Sequence, residues 1–194
     1  MRRYGWSTSP VSGCVPSMSK PGAQQADAVT LIERCVGPTL DVGCGPGRLA
    51  AALTERGCVA LGIDVSAEAI RQARRRGVAA LHRCVFSPLP GEGRWGHVLL
   101  ADGNVGIGGN PKRLLQRCAA LAGPGGDVIV EVDRPGEPSW STLVALSDGI
   151  RTSRPFAWAG VAVDDLDTYA AAAAMCVLET WTEADRWFAR LTTM

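Results

Sequence analysis

Apolar residues gather in short runs along the chain, and the runs alternate with segments of helical period. Thr39 to Val42, Cys58 to Ile63, Val78 to about Phe86, His97 to Ala101 and Asp127 to Val132 read as strands, bounded by glycine, proline or charged residues. Helices are predicted between them. From Ala23 to about Val36, Val29, Ile32 and Cys35 recur at helical spacing. Arg48 to Arg56 is rich in alanine and leucine, with Gly57 as its stop. Ser66 can cap a helix running to Arg76, and Gly77 ends it. Asn110 can cap the next and Pro111 open it, with Leu114, Leu115, Cys118 and Leu121 on its core face and Gly123 at its end. Such alternation predicts a parallel sheet covered by helices on both faces.

The C-terminal third has a different pattern. Trp140 to Leu146 and Phe156 to Val161 read as two extended segments around a polar turn that begins at Ser147-Asp148-Gly149. Alternation places Phe156, Trp158 and Gly160 on one side and Ala157, Ala159 and Val161 on the other. A lone hairpin is only marginally stable in water. It is therefore expected to rest on the carboxyl edge of the sheet beside Asp133, covering a crevice there, with Trp140 or Trp158 lining it. The competing expectation is that these aromatics complete the core. Asp164 to Met175 reads as a helix with five consecutive alanines. Cys176 to Trp181 and Arg186 to Thr192 then predict a terminal antiparallel pair. Residues 1–22, rich in Ser, Gly and Pro and without period, read as a mobile leader; residues 23–194 read as one domain.

Composition narrows the partners. A length of 194 residues suits one domain, and a 46% apolar share supports a real core. A net charge of +1 gives no global field toward nucleic acid or an anionic membrane. Arginine outnumbers lysine eighteen to two. Arg71, Arg74, Arg75 and Arg76 cluster at the end of a predicted helix, where cations suit the dipole, and no aromatic residues interleave with them. The seven cysteines are Cys14, Cys35, Cys44, Cys58, Cys84, Cys118 and Cys176; the odd count and the lack of C-x-x-C argue against a zinc site or a disulfide framework. No apolar run of membrane length occurs, and Met1-Arg2-Arg3-Tyr4-Gly5-Trp6-Ser7 has no apolar signal region. A cytoplasmic protein without metal, membrane or nucleic-acid partner is the expectation.

Candidate chemistry centres on Thr39-Leu40-Asp41-Val42-Gly43-Cys44-Gly45-Pro46-Gly47-Arg48-Leu49-Ala50, a strand, a glycine-rich turn and a helix start. The turn lacks bulky side chains, so a ligand can approach its backbone. Nineteen positions after Gly45, Asp64 ends the next strand, where a carboxylate can accept from both ribose hydroxyls. The dinucleotide fingerprint is G-x-G-x-x-G. This chain has G-x-G-x-G preceded by an acid, which resembles motif I of the class I S-adenosylmethionine (SAM)-dependent methyltransferases. The resemblance is strong from about Thr39 to Asp133 and topological beyond it. More narrowly, the Leu100-Ala101-Asp102-Gly103-Asn104-Val105-Gly106-Ile107-Gly108-Gly109-Asn110-Pro111 loop and the Arg186-Trp187-Phe188-Ala189 ending resemble small actinobacterial members of that family.

The resemblance implies a Rossmann-like, doubly wound, mostly parallel seven-stranded sheet with an antiparallel C-terminal strand. The hairpin after the fifth strand is then an insertion. It implies that Asp41, Gly43, Cys44, Gly45, Gly47 and Arg48 surround the methionine end of SAM. Asp64 and Val65 would lie at the ribose, and Val85 and Phe86 at the adenine. Asp102 and Asn104 would lie beside the methionine end or the acceptor, with Asp102 as candidate base. The family often has an acid near the adenine; here the stretch is Arg83-Cys84-Val85-Phe86, without one. Asp41, Asp64, Phe86, Asp102 and Asp133 should ring one crevice at the carboxyl ends of the strands. His97 starts its strand and should lie at the other end; His82, inside a strand, reads as structural. The implied activity is methyl transfer from SAM to a small-molecule acceptor. The alternative is a SAM-binding regulatory or partner protein without catalysis. An NAD-linked oxidoreductase would lack the last fingerprint glycine and a hydride-transfer pair.

Overall fold

The computed structural model describes residues 5–7, 27–147, 150 and 152–194. Cys14 and most of the predicted leader lie outside the described residues. In chain order the elements are β1 (Gly5–Ser7), α1 (Asp27–Arg34), β2 (Thr39–Val42), α2 (Arg48–Glu55), β3 (Ala60–Asp64), α3 (Ala67–Arg75), β4 (Ala80–His82) and β5 (Trp95–Leu100). A 3-10 segment (Asn104–Gly109), α4 (Pro111–Leu121), β6 (Ala122–Val132), β7 (Trp140–Ser147) and β8 (Phe156–Gly160) follow. A short 3-10 turn (Val163–Asp165), α5 (Leu166–Ala172), β9 (Met175–Glu183) and β10 (Arg186–Thr193) complete the chain.

Seven strands form one sheet in the order β4-β3-β2-β5-β6-β10-β9. β2 pairs in parallel with β3 and β5, and β10 alone is reversed, running antiparallel to both β6 and β9. Alternate residues of each strand supply the two faces. Leu40, Val42, Val98, Leu100, Val128 and Val130 pack against α4 and α5. Leu99, Ile129 and Phe188 pack against Leu31, Leu49, Leu53 and Ile70 of α1, α2 and α3. Asp41 lies between Leu40 and Val42, so it faces α2. The predicted caps form: Ser66 Oγ accepts from Ala69 N–H at 3.2 Å, and Asn110 Oδ1 from Arg113 N–H at 3.0 Å.

Among the boundaries that differ from the sequence reading, three are large. β4 stops at His82, because Arg83 N–H bonds to Asp64 O and Ser87 N–H closes a turn onto Cys84 O. Phe86 is therefore in a turn. The alanine-rich helix is split into a 3-10 turn and α5, and it ends at Ala172, with Ala174 in the left-handed region at φ 57°. β6 begins at Ala122, five residues before the predicted start.

The two extended segments do pair, antiparallel, with Trp140 opposite Gly160 and Val144 opposite Phe156. β1 adds to the other side of β7, making a second, three-stranded sheet. That sheet rests on the 3-10 segment after β5. An added Cβ at Gly106 would collide with Ala159 O and with the Trp158 indole.

His97 lies at the amino end of the sheet, away from the glycine loop. Its Nδ1 meets Asp127 Oδ1 at 2.6 Å, and its Nε2 accepts from Val36 N–H at 3.2 Å. That pair of bonds assigns the neutral tautomer with the proton on Nδ1. The ring clasps the exit of α1 to β5 and β6. His97→Ala should cost about 3 kcal/mol of stability, because it leaves the buried Asp127 carboxyl only its longer contact with Arg190, at 3.9 Å. Denaturant unfolding measures this, and an unchanged midpoint would remove the clasp role.

Candidate active site

The glycine turn is braced from below and from one side. Gly43 N–H and Cys44 N–H both donate to Ile63 O, at 2.9 and 3.0 Å. Gly43 has φ 71°, and a Cβ there would meet the Asn104 side chain at 2.6 Å. Asn104 uses that space: its Nδ2 donates to Val42 O at 2.9 Å and Gly43 O at 3.1 Å. The loop after β5 thus locks onto the loop after β2. Gly45 N–H donates to Asp64 Oδ2 at 2.9 Å, and Ser66 N–H to Oδ1 at 2.7 Å. Asp64 is therefore oriented before any ligand arrives, with a lone pair left on each oxygen.

One cavity runs along these groups. Val42, Gly43, Asp64, Val65, Val85 and Asn104 line it, together with Ile63, Arg83, Cys84, Ile107 and Trp158. Val42 and the last five were not chosen from sequence as site residues, although Trp158 was one of two candidate lining aromatics. Trp140 instead packs its indole nitrogen against Gly160 beside the Asp133 carboxyl. Burial raises the Asp133 pKa, and Glu137 and Glu131 add to the rise. Phe86 is not among the residues that line the cavity. The Arg113 guanidinium lies 4.4 Å over its ring, and Gly108 lies against its edge. Cys44 puts its thiol under the loop, against Gly62. Burial pushes that thiol up to about 12, which removes it as a nucleophile at neutral pH.

Asp41 is the most unusual group. It is 2% exposed, and its Oδ2 has no hydrogen-bond partner. Burial, then the Asp102 charge, push its carboxyl up to about 7, against smaller opposing effects of Ala50 N–H and Arg48. A buried polar atom without a partner is uncommon and points to a missing one.

Above Asp41 stands a chain of alternating charges. Arg48 meets Asp102 at 3.2 Å. Asp102 Oδ1 meets Arg186 Nη2 at 2.8 Å. Arg186 grips Glu131 through both Nε, at 2.8 Å, and Nη2. Asp102 N–H also donates to Glu131 Oε2, and Asp102 sits in the left-handed region at φ 54°. Arg186 is 7% exposed. Sequence reasoning passed over Arg186 and Glu131. The available signal was the acid in the otherwise apolar run Val128-Ile129-Val130-Glu131-Val132, which calls for a buried partner.

The arginines of α3 lie outside this region and partly serve local structure. Arg71 pairs with Glu68, and Arg74 donates Nε and Nη2 to Ala80 O at 3.0 and 2.9 Å. No helix among the described residues is long and apolar enough to cross a membrane. His82 bonds Val65 O at 2.8 Å.

Residues 39–126 match the family model for a methyltransferase domain. No curated protein sequence matches the chain. Among solved structures, a SAM-dependent methyltransferase from Bacteroides fragilis in complex with S-adenosylhomocysteine superposes with a TM-score of 0.73. It is 24% identical, over 86% of this chain and 76% of that one. The CcbJ methyltransferase from Streptomyces caelestis gives a TM-score of 0.68 at 16% identity, over 89% and 90%. The 1,6-didemethyltoxoflavin-N1-methyltransferase of Burkholderia thailandensis, with bound 1,6-didemethyltoxoflavin and S-adenosylhomocysteine, gives 0.64 at 22%, over 88% and 79%. Residues 39–126 are thus similar to a methyltransferase domain, and the fold of the chain is that of the class I SAM-dependent methyltransferases.

Proposed function

We propose that this methyltransferase domain moves the methyl group of S-adenosylmethionine to a small-molecule acceptor. The observation that carries the reading is Asp41, a buried carboxyl with an unpartnered oxygen at the foot of a glycine turn. An ammonium group there would supply its missing partner, and the amino-acid end of SAM carries one. Asp64, already aimed by Gly45 N–H and Ser66 N–H, suits the two ribose hydroxyls. The residues present thus fit both ends of the cofactor. When bound, the cofactor supplies a sulfonium methyl group that is already electrophilic. The chain's own task is to orient the acceptor and exclude water.

Trp158 suits that second task, because the hairpin carries it into the cavity lining. Asp102 is assigned to holding Arg48, rather than to taking a proton, because two guanidinium groups occupy its carboxylate. A small acceptor agrees with the bound 1,6-didemethyltoxoflavin of the Burkholderia relative.

Calorimetric titration tests the reading. SAM and S-adenosylhomocysteine should bind and NAD should not; a chain that binds neither SAM nor its product overturns it. Trp158 makes a further prediction. Trp158 shares the cavity lining with Val85, where the adenine is expected, and stacking of a base on an aromatic ring contributes about 1–3 kcal/mol, so Trp158→Ala should weaken S-adenosylhomocysteine binding about tenfold. The ring is only half-buried, so stability should fall by less than the roughly 3–5 kcal/mol of a core tryptophan. A core-sized loss of stability with unchanged binding would return Trp158 to the core.

A further inference from the structure

The run of charges from Glu131 to Arg48 crosses three strands and ends on the first residue of α2, at the glycine turn. Its anchor is Arg186, which is buried and meets two carboxylates from two different elements. Glu131 takes two donors of the guanidinium, the fork geometry that fixes its plane. With that plane fixed, Arg186 Nη2 reaches Asp102 Oδ1 and leaves Oδ2 for Arg48. Asp102 is half-exposed and backbone-strained, so its position depends on what holds it.

We propose that Arg186 is a positioning residue for the amino-acid end of the cofactor, acting through Asp102 on Arg48. The proposal rests on the function proposed for the site. The methionine end is a zwitterion, with an ammonium and a carboxylate on one carbon. Asp41 offers the complement to the ammonium, and Arg48, one element away, offers the complement to the carboxylate. Arg186 touches neither group. It sets the rotamer of Asp102, which in turn sets where the Arg48 guanidinium stands. Positioning through a charged neighbour also explains why so buried a cation sits at the start of β10. Pairing with Glu131 alone would balance its charge and would need no third member.

Two ligands separate positioning from general structural support. S-adenosylhomocysteine has the amino-acid end; 5′-methylthioadenosine keeps the nucleoside and lacks it. Arg186→Lys keeps the charge but loses the fork. It should raise the dissociation constant of S-adenosylhomocysteine about tenfold, as one weakened charge-assisted contact does, and leave that of methylthioadenosine within about twofold. Asp102→Asn, at a half-exposed position that tolerates the change, should give the same selective loss. If Arg186→Lys shows no cooperative melt, Asp102→Asn decides alone. Equal losses for both ligands, or none for either, would overturn the proposal. If the wild-type chain binds neither ligand, the proposed function fails and this inference fails with it. If the wild-type chain binds both and the variants keep its ratio, only the inference fails.

Discussion

Asp64→Ala is expected to lower affinity for S-adenosylhomocysteine by about a hundredfold, which corresponds to about 3 kcal/mol. Two losses add. The carboxylate no longer meets the ribose, and a hydrogen bond to a charged group is worth about 1.5–3 kcal/mol. The turn also loses its brace, because Gly45 N–H and Ser66 N–H both donate to Asp64. Those two amides belong to the turn after β2 and the start of α3, so the ligand must order that side of the glycine loop, while Ile63 O and Asn104 still hold Gly43 and Cys44. Asp64→Asn keeps one acceptor oxygen and should lose about tenfold. Calorimetry with S-adenosylhomocysteine and with adenosine should show similar losses for both, since Asp64 faces the nucleoside. Unchanged affinity in the alanine variant would remove Asp64 from the site.

The second large effect concerns Asp41 and pH. Folded, its carboxyl keeps a proton up to about pH 7; its ordinary value is 3.8. The folded chain therefore binds the proton more tightly than the unfolded chain. Its contribution to stability is complete below about pH 4 and is lost as pH rises through 7. A tenfold gain in proton affinity corresponds to about 1.4 kcal/mol, so the ionised group should cost the unliganded protein about 2–4 kcal/mol at pH 8. Asp41→Asn should consequently stabilise the unliganded protein at pH 8 and not at pH 4. It should also weaken S-adenosylhomocysteine, because a neutral amide is a poorer partner for an ammonium. In the wild type, bound ligand favours the carboxylate, so binding near pH 6.5 should release a proton. Calorimetry in buffers of different ionisation enthalpy counts that proton. A melting temperature equally flat with pH in wild type and variant, with no proton release, would show that Asp41 is ionised already.

The parts legible in the sequence are those governed by local rules. The turn at Gly43 to Gly47 and its following helix are written in glycine spacing. The caps at Ser66 and Asn110 are written in side-chain chemistry. The parallel order follows from strand–helix alternation, and the pairing of β7 with β8 from two apolar runs flanking a polar turn. What sequence could not give depends on who meets whom across the sheet. Phe86 belongs to a predicted strand by composition, yet the backbone turns at Cys84 and sends the ring to Arg113. Asp102 reads as a free loop acid until Arg186, distant in sequence, arrives beside it on β10. Asp41 reads as a ligand in either case; burial against α2, and after it the Asp102 charge, make it a carboxyl that titrates near neutrality. Trp140 and Trp158 are equivalent in sequence, and strand register separates them, placing one against Gly160 and the other in the cavity.

The glycine at position 106 has a consequence for engineering. Its α-carbon lies where any side chain would strike Ala159 O and the Trp158 ring, so the segment after β5 and the hairpin fit as lock and key. Gly109 repeats the fit, with the Ala157 methyl group 2.7 Å from where its own Cβ would stand. A hairpin moved alone onto a related scaffold that carries side chains at those two places would not seat. Moved together with residues 104–109, it should bring its tryptophan to the same depth. The exchangeable unit for altering acceptor preference is thus a pair of segments far apart in the chain, and a library that varies only one of them samples mostly misfits.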